Sequence, residues 1–234
     1  MALILHLETA TAVCSAALAR DGVLLALRET DQGLVHGERL TPFIEEIFME
    51  AGASPWDLAA IAVSIGPGSY TGLRVGLSTA KGMALGLDLP LISVSTLEAL
   101  AEGTLLAFPG HWVMPAIDAR RLEVYAALFD PAGRLVHEPQ PLILDQTEAL
   151  AWLPEDAEAV LSCGDGAAKV PAAWPGAEVT DSGIRCSATH LLAPAWRSWQ
   201  EGRFADLTLL EPVYLKPAHV TSPAKSLLNP RRRS

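Results

Sequence analysis

Few side chains in this sequence are spaced for chemistry, and those that are sit beside glycine. Gly66-Pro67-Gly68-Ser69-Tyr70-Thr71-Gly72 follows the apolar run Ile61–Ile65 directly and leads into a helical stretch. A strand that ends in such a turn and passes into a helix offers unpaired backbone N–H groups, where anions bind well. The loop lacks the Gly-Lys-Ser/Thr ending of an ATPase phosphate loop, Lys81 lies too far along, and the glycine spacing is not that of a dinucleotide fingerprint. Gly66, Gly68 and Ser69 are therefore read either as phosphate contacts or as a structural turn. Glu8-Thr9-Ala10-Thr11 brings a carboxylate and hydroxyls to another turn, a set able to hold a metal–phosphate, with Glu8 and Thr9 as its contacts. Gly164-Asp165-Gly166-Ala167 is a second small-residue turn, with Gly164 and Gly166 able to face a nucleotide. Asp118-Ala119-Arg120-Arg121 has no glycine to wrap a phosphate.

Other chemistries are excluded by spacing. No two of the histidines His6, His36, His111, His137, His190 and His219 lie three or four residues apart, so the helical zinc motif is absent. His6, inside an apolar strand, reads as a core histidine, and His36 as a solvent-facing or capping one. Cys14, Cys163 and Cys186 are odd in number and widely spaced, which leaves no disulfide framework and no paired-cysteine zinc motif. They read as small apolar filler in a reducing cytosol, and the expected location is cytoplasmic. No side chain is assigned a catalytic or metal-binding role, and no cofactor is expected on this chain alone.

The elements that position these turns follow from pattern. Leu3–Leu7, Val13–Ala19 and Val23–Glu29 read as strands, the last two joined by Arg20-Asp21-Gly22. Leu40, Phe43, Ile44, Ile47, Phe48 and Ala51 recur at helical spacing on a helix ended near Gly52. After the strand Ile61–Ile65 comes a helix to about Gly86, the strand Leu91–Val94, and a helix through Leu106 opened by a capping box at Ser95–Glu98. Beyond Pro109-Gly110 the order restarts, with strands at Trp112–Ile117, Leu122–Phe129 and Leu135–Val136, a helical stretch Gln146–Trp152, and a strand Ala159–Cys163. Two lobes of mixed sheet and helix, each opening βββαβ, are expected, the second shortened. The division is residues 1–108, 109–220 and a basic tail 221–234 that carries Arg231-Arg232-Arg233.

Gly72, Gly76, Ala80 and Ala84 fall four apart on the helix after the glycine loop. Each interior glycine costs about 0.8–1 kcal/mol against alanine. Close approach of another backbone, from this domain's own sheet or from a second chain, would compensate. The chain of 234 residues is half hydrophobic and carries 17 basic against 27 acidic side chains, a net charge of −10. Its mean hydropathy is +0.27, yet no apolar run reaches the roughly 18–20 residues of a membrane span. Met1–Ala12 lacks the basic start of a secretory signal. So acidic a chain does not grip nucleic acid by charge alone.

Three blocks carry a resemblance. Leu3–Leu18 (LILHLETATAVCSAAL), Ile61–Lys81 (IAVSIGPGSYTGLRVGLSTAK) and Val94–Ala101 (VSTLEALA) are similar to the TsaB family, also called YeaZ. Ile117–Phe129, Gly164–Ala167 and Pro212-Val213-Tyr214-Leu215 resemble that family's second half. Glu8 stands where the family usually has Asp, Tyr70 where Phe is common, and Gly37 where Ser is usual. The resemblance implies an actin/hexokinase-like (ASKHA) α/β fold of two duplicated lobes. It implies a non-catalytic subunit that dimerises with TsaD, which carries the metal-holding histidine pair missing here. TsaD, with the ATPase TsaE, threonylcarbamoylates N6 of the tRNA adenosine 3′ to the anticodon. Further implications are a homodimer when TsaD is absent, tRNA contact only through the complex, and ATP or ADP at the complex interface. The implied partner surface is Leu40, Phe43, Ile44, Ile47, Tyr70, Gly72, Arg74, Gly76 and Ala80. The alternative reading of the same fold is an ATP-dependent phosphotransferase.

Overall fold

A computed structural model describes residues 1–33, 35–145, 151–153, 159–174 and 178–216. Strands β1 (Leu3–Glu8), β2 (Cys14–Arg20), β3 (Val23–Thr30), β4 (Leu58–Ser64) and β5 (Leu91–Val94) form one sheet in the order β3-β2-β1-β4-β5. β1 is central, antiparallel to β2 and parallel to β4, with Leu5 opposite both Leu18 and Ile61. It is buried on both faces along its whole length, as expected of a near-continuous apolar strand. Helices α1 (His36–Ala51) and α2 (Tyr70–Leu87) cover the face to which Leu3, Leu5 and Leu7 point. α1 ends at Gly52, whose φ of 59° supplies the left-handed cap.

The second sheet repeats the first. Strands β6 (Trp112–Asp118), β7 (Glu123–Phe129), β8 (Leu135–Ile143), β9 (Val160–Cys163) and β10 (Val179–Asp181) lie in the order β10-β9-β6-β7-β8. β6 is antiparallel to β7 and parallel to β9, and β9 is parallel to β10, as β1 is to β2 and β4, and β4 to β5. The duplication expected from element order is thus present in topology, strand for strand. β10 was not foreseen, because three residues carry too little pattern. The expected helix Gln146–Trp152 lies mostly outside the described residues, as does the tail 221–234.

Helix α3 (Thr96–Ala107) packs on the second sheet through Leu97, Leu100 and Ala101, while its Ala99 meets Ile92 and Val94 of the first. Ser95 makes no side-chain cap there, so the capping box expected at its start does not form. After a short helix α4 (Lys169–Ala173) and the edge strand β10, the chain returns to the first lobe. Helix α5 (Leu192–Gln200) and the residue before it set Ala195 and Leu191 against Ile4, Ala60 and Ile92. A single cut near residue 108 therefore does not separate the lobes. The last described stretch belongs with the first sheet. Among the described residues no helix is long and apolar enough to cross a membrane.

Candidate functional site

The glycine loop and the β1–β2 turn form one unit. A Cβ at Gly68 would lie 2.4 Å from the Ala10 carbonyl oxygen, and one at Gly72 would lie 2.1 Å from that of Thr9. At Gly76 it would lie 2.2 Å from Thr9 Oγ1. The Thr9 hydroxyl donates to the Gly72 carbonyl at 2.8 Å, and the Ser69 N–H donates to the Ala10 carbonyl at 2.6 Å. Ser69 Oγ accepts from the Gly72 N–H, capping α2. The glycines thus let the turn sit directly on the start of α2. Ala10 lies directly against Gly68 and takes the Ser69 N–H. Gly66, at φ +113°, is closed from the other side by the Val213 carbonyl.

Glu8 ends β1 beneath this turn, 1% exposed. Its carboxylate accepts from the Ala10 N–H at 2.6 Å and from Ser64 Oγ at 2.8 Å. Burial outweighs these bonds and raises its pKa to about 7. The like charge of Asp165 adds a smaller rise. The second lobe mirrors the arrangement, because Gly166 N–H donates to the Ala116 carbonyl and Gly164 N–H to that of Ile184. Asp165, an exposed acid that sequence reasoning passed over, accepts from the Asp118 N–H at 2.9 Å, and partial desolvation at this turn raises its pKa. Its signal was an acid between two glycines. In these two turns the Ser69, Gly164 and Gly166 N–H groups are thus already bonded within the chain, which leaves those three donors no free hydrogen for a nucleotide's phosphates in this conformation. Among the described residues no three His, Cys, Asp or Glu side chains converge as metal ligands.

The expected partner surface divides in two. Leu40, Phe43, Ile44 and Ile47 are all buried against the chain's own first sheet. They are core residues, because an apolar stripe beside an apolar sheet is removed from water there first. Gly72, Gly76 and Ala80 are likewise turned inward, and the contact that compensates for the glycines is intramolecular. Tyr70 and Arg74 remain on the surface. The outward face of α2 continues from them through Ser78, Gly82, Leu85 and Gly86, with Thr41, Glu45 and Met49 exposed on α1. A Cβ at Gly82 or Gly86 would meet nothing within 4 Å. His36, expected at the surface or as a cap, is buried, with Nε2 2.9 Å from the Thr11 carbonyl. His6 is in the core as expected, and burial lowers its pKa to about 4.

A family model described as TsaD, tRNA N6-adenosine threonylcarbamoyltransferase, matches residues 33–228. The tRNA threonylcarbamoyladenosine biosynthesis protein TsaB of Escherichia coli K12 is 34% identical over 233 residues, covering 91% of this chain and 94% of that protein. The chain belongs to the TsaB family. YeaZ from Pseudomonas aeruginosa, the same family by its other name, is 30% identical with a TM-score of 0.80, covering 92% of this chain and all of that one. The activator of 2-hydroxyisocaproyl-CoA dehydratase from Clostridium difficile, solved with bound ADPNP, has a TM-score of 0.50 at 11% identity over 86% of this chain. That likeness shows the fold alone, which is the actin/hexokinase-like one. In this TsaB-family chain the loop with the most specific sequence is the one the structure closes with its own β1–β2 turn.

Proposed function

We propose that this chain is a non-catalytic docking and activating subunit. It pairs with a TsaD-type transferase to make threonylcarbamoyladenosine at N6 of the tRNA adenosine 3′ to the anticodon. Family membership supports the pathway. The observation that carries the docking role is the pairing of closed turns with an open helix. The glycine loops hold their own chain, while the outward face of α2 keeps Gly82 and Gly86 with open space before them. Glycine in a solvent-facing helix interior lowers stability by about 0.8–1 kcal/mol per residue with no return in the free chain. Close packing of a partner helix supplies that return. A homodimer through the same face forms when the partner is absent. TsaE and tRNA join through the complex, with nucleotide at the junction between subunits.

Size-exclusion chromatography of the chain mixed with its TsaD-type partner tests this. The wild type is expected to elute as a stable heterodimer. Gly82→Leu, whose side chain points away from the fold, is expected to leave the monomer folded and to break the pair. Gly76→Leu is not a useful probe, because it strikes Thr9 inside the chain. Absence of a complex with the wild type, or an intact one with Gly82→Leu, overturns the reading.

A further inference from the structure

The end of the described chain builds part of the face on which α2 lies. From Arg203 onward the chain crosses the first sheet, with the Ala205 N–H donating to the Leu91 carbonyl and Leu207 and Leu210 packed on the first core. The Val213 N–H donates to the Ile65 carbonyl at 2.7 Å. Lys216 then pairs with Glu123 at the start of β7, so this strap touches both lobes. It delivers Tyr214 to the start of α2, where its ring centroid lies 4.9 Å from that of Tyr70. The Arg74 guanidinium lies over the Tyr70 ring, 4.0 Å from its centroid. The Tyr214 hydroxyl lies close enough to Arg74 to raise its pKa.

Three features of this cluster point outward. Tyr70 and Tyr214 are 42% and 38% exposed, unusual for stacked aromatic residues with a core nearby. Among the described residues no carboxylate pairs with Arg74. That is notable in a chain with 27 acids against 17 bases. Finally, the guanidinium is held in place by the tyrosines, so little side-chain freedom remains to be lost on binding. Tyrosine and arginine fixed in this way are the residue types that anchor protein interfaces.

We propose that Tyr70, Arg74 and Tyr214 form the anchor of the docking face, with Arg74 taking a carboxylate of the TsaD-type partner in a two-bonded fork. The proposal rests on the docking reading above and adds its chemistry and a contact residue from the other end of the chain. A planar fork matches a carboxylate in a way an ammonium does not. The pair is charge-assisted, so the affinity falls as salt rises.

Titration calorimetry of the full chain with the partner subunit, at low and at high salt, tests it. Arg74→Gln is expected to weaken binding by about 10–100-fold at low salt and to flatten the salt dependence. Arg74→Lys is expected not to restore affinity. Tyr214→Phe keeps the ring, loses the hydroxyl close to the guanidinium, and is expected to weaken binding by about 3–10-fold. All three side chains are exposed, so the melting temperature of the free chain stays near that of the wild type. Binding by Arg74→Gln and Tyr214→Phe within twofold of the wild type, with Gly82→Leu still disruptive, overturns the anchor and leaves the docking reading standing. Arg74→Lys as tight as the wild type overturns the fork. A wild type that forms no complex overturns both readings.

Discussion

Glu8 is the residue at which burial and charge conflict most openly. Its folded pKa of about 7 lies above the ordinary carboxylate value of 4.5. The folded state therefore binds a proton that the unfolded chain has released between those values. Stability from this group is fully present below pH ~4.5 and is lost as pH rises through 7. His6, two residues away on the same strand face, acts in the opposite sense. Its folded pKa near 4 lies below the ordinary 6.5, so its contribution is lost as pH falls. Between pH ~4.5 and 6.5 the two slopes offset each other. Glu8→Gln keeps an acceptor for Ala10 and Ser64 and removes the titration. The stability of Glu8→Gln relative to the wild type is expected to rise by about 3 kcal/mol from pH 4.5 to 8, measured by urea unfolding. A flat difference would show that Glu8 is hydrated in solution. Gly76 gives a second residue-level test. Gly76→Ala pushes a methyl into Thr9 Oγ1 and is expected to cost about 1–3 kcal/mol. Thr9→Ala removes that atom, so the double variant is expected to be more stable than the sum of the singles predicts.

At the scale of the element, α2 carries two sets of small residues with opposite meanings. Gly72 and Gly76 face the β1–β2 turn, Ala80 is buried in the first core, and Gly82 and Gly86 face solvent. Spacing alone showed a strip and could not say what lay against it. One backbone contact at i and one open space at i+10 leave the same letter in the sequence. The same limit explains the stripe Leu40, Phe43, Ile44 and Ile47, whose period gave the helix correctly but not the neighbour that covers it. Strand order, by contrast, was legible almost throughout, because β1, β4 and β6 are apolar runs bounded by turn residues. Beyond its place in a segment similar to the family's, Tyr214 carries no signal in the sequence, since its stack on Tyr70 joins positions 144 residues apart. The two sets of glycine predict different outcomes for the same change. Gly82→Ala meets no neighbour and is expected to raise the stability of the free chain by up to about 1 kcal/mol, read from the urea midpoint. Destabilisation there would mean that the outward face of α2 is already covered in the free protein.

At the scale of the whole molecule, the question is whether two lobes of this fold still close on a nucleotide. The lobes are tied at several levels. Ser187 Oγ donates to the Glu29 carboxylate at 2.8 Å, the Ala188 N–H donates to Ser15 Oγ at 3.0 Å, and the strap ends on Glu123. The turns that would meet phosphate are bonded to Ala10 and Ala116 of their own chain. To admit a nucleotide, the β1–β2 turn would have to leave α2. That movement breaks the Ser69–Ala10 and Thr9–Gly72 hydrogen bonds and exposes the buried Glu8 to a phosphate of its own sign. Each lost bond costs about 0.5–1.5 kcal/mol, and the like charges add to it. Titrating the isolated chain with Mg-ATP is therefore expected to give no saturable heat in the micromolar range. A micromolar isotherm would show that the turn moves aside at little cost. The phosphotransferase reading would then displace the docking one, because a chain that gathers ATP between its own lobes has a use for the cleft itself.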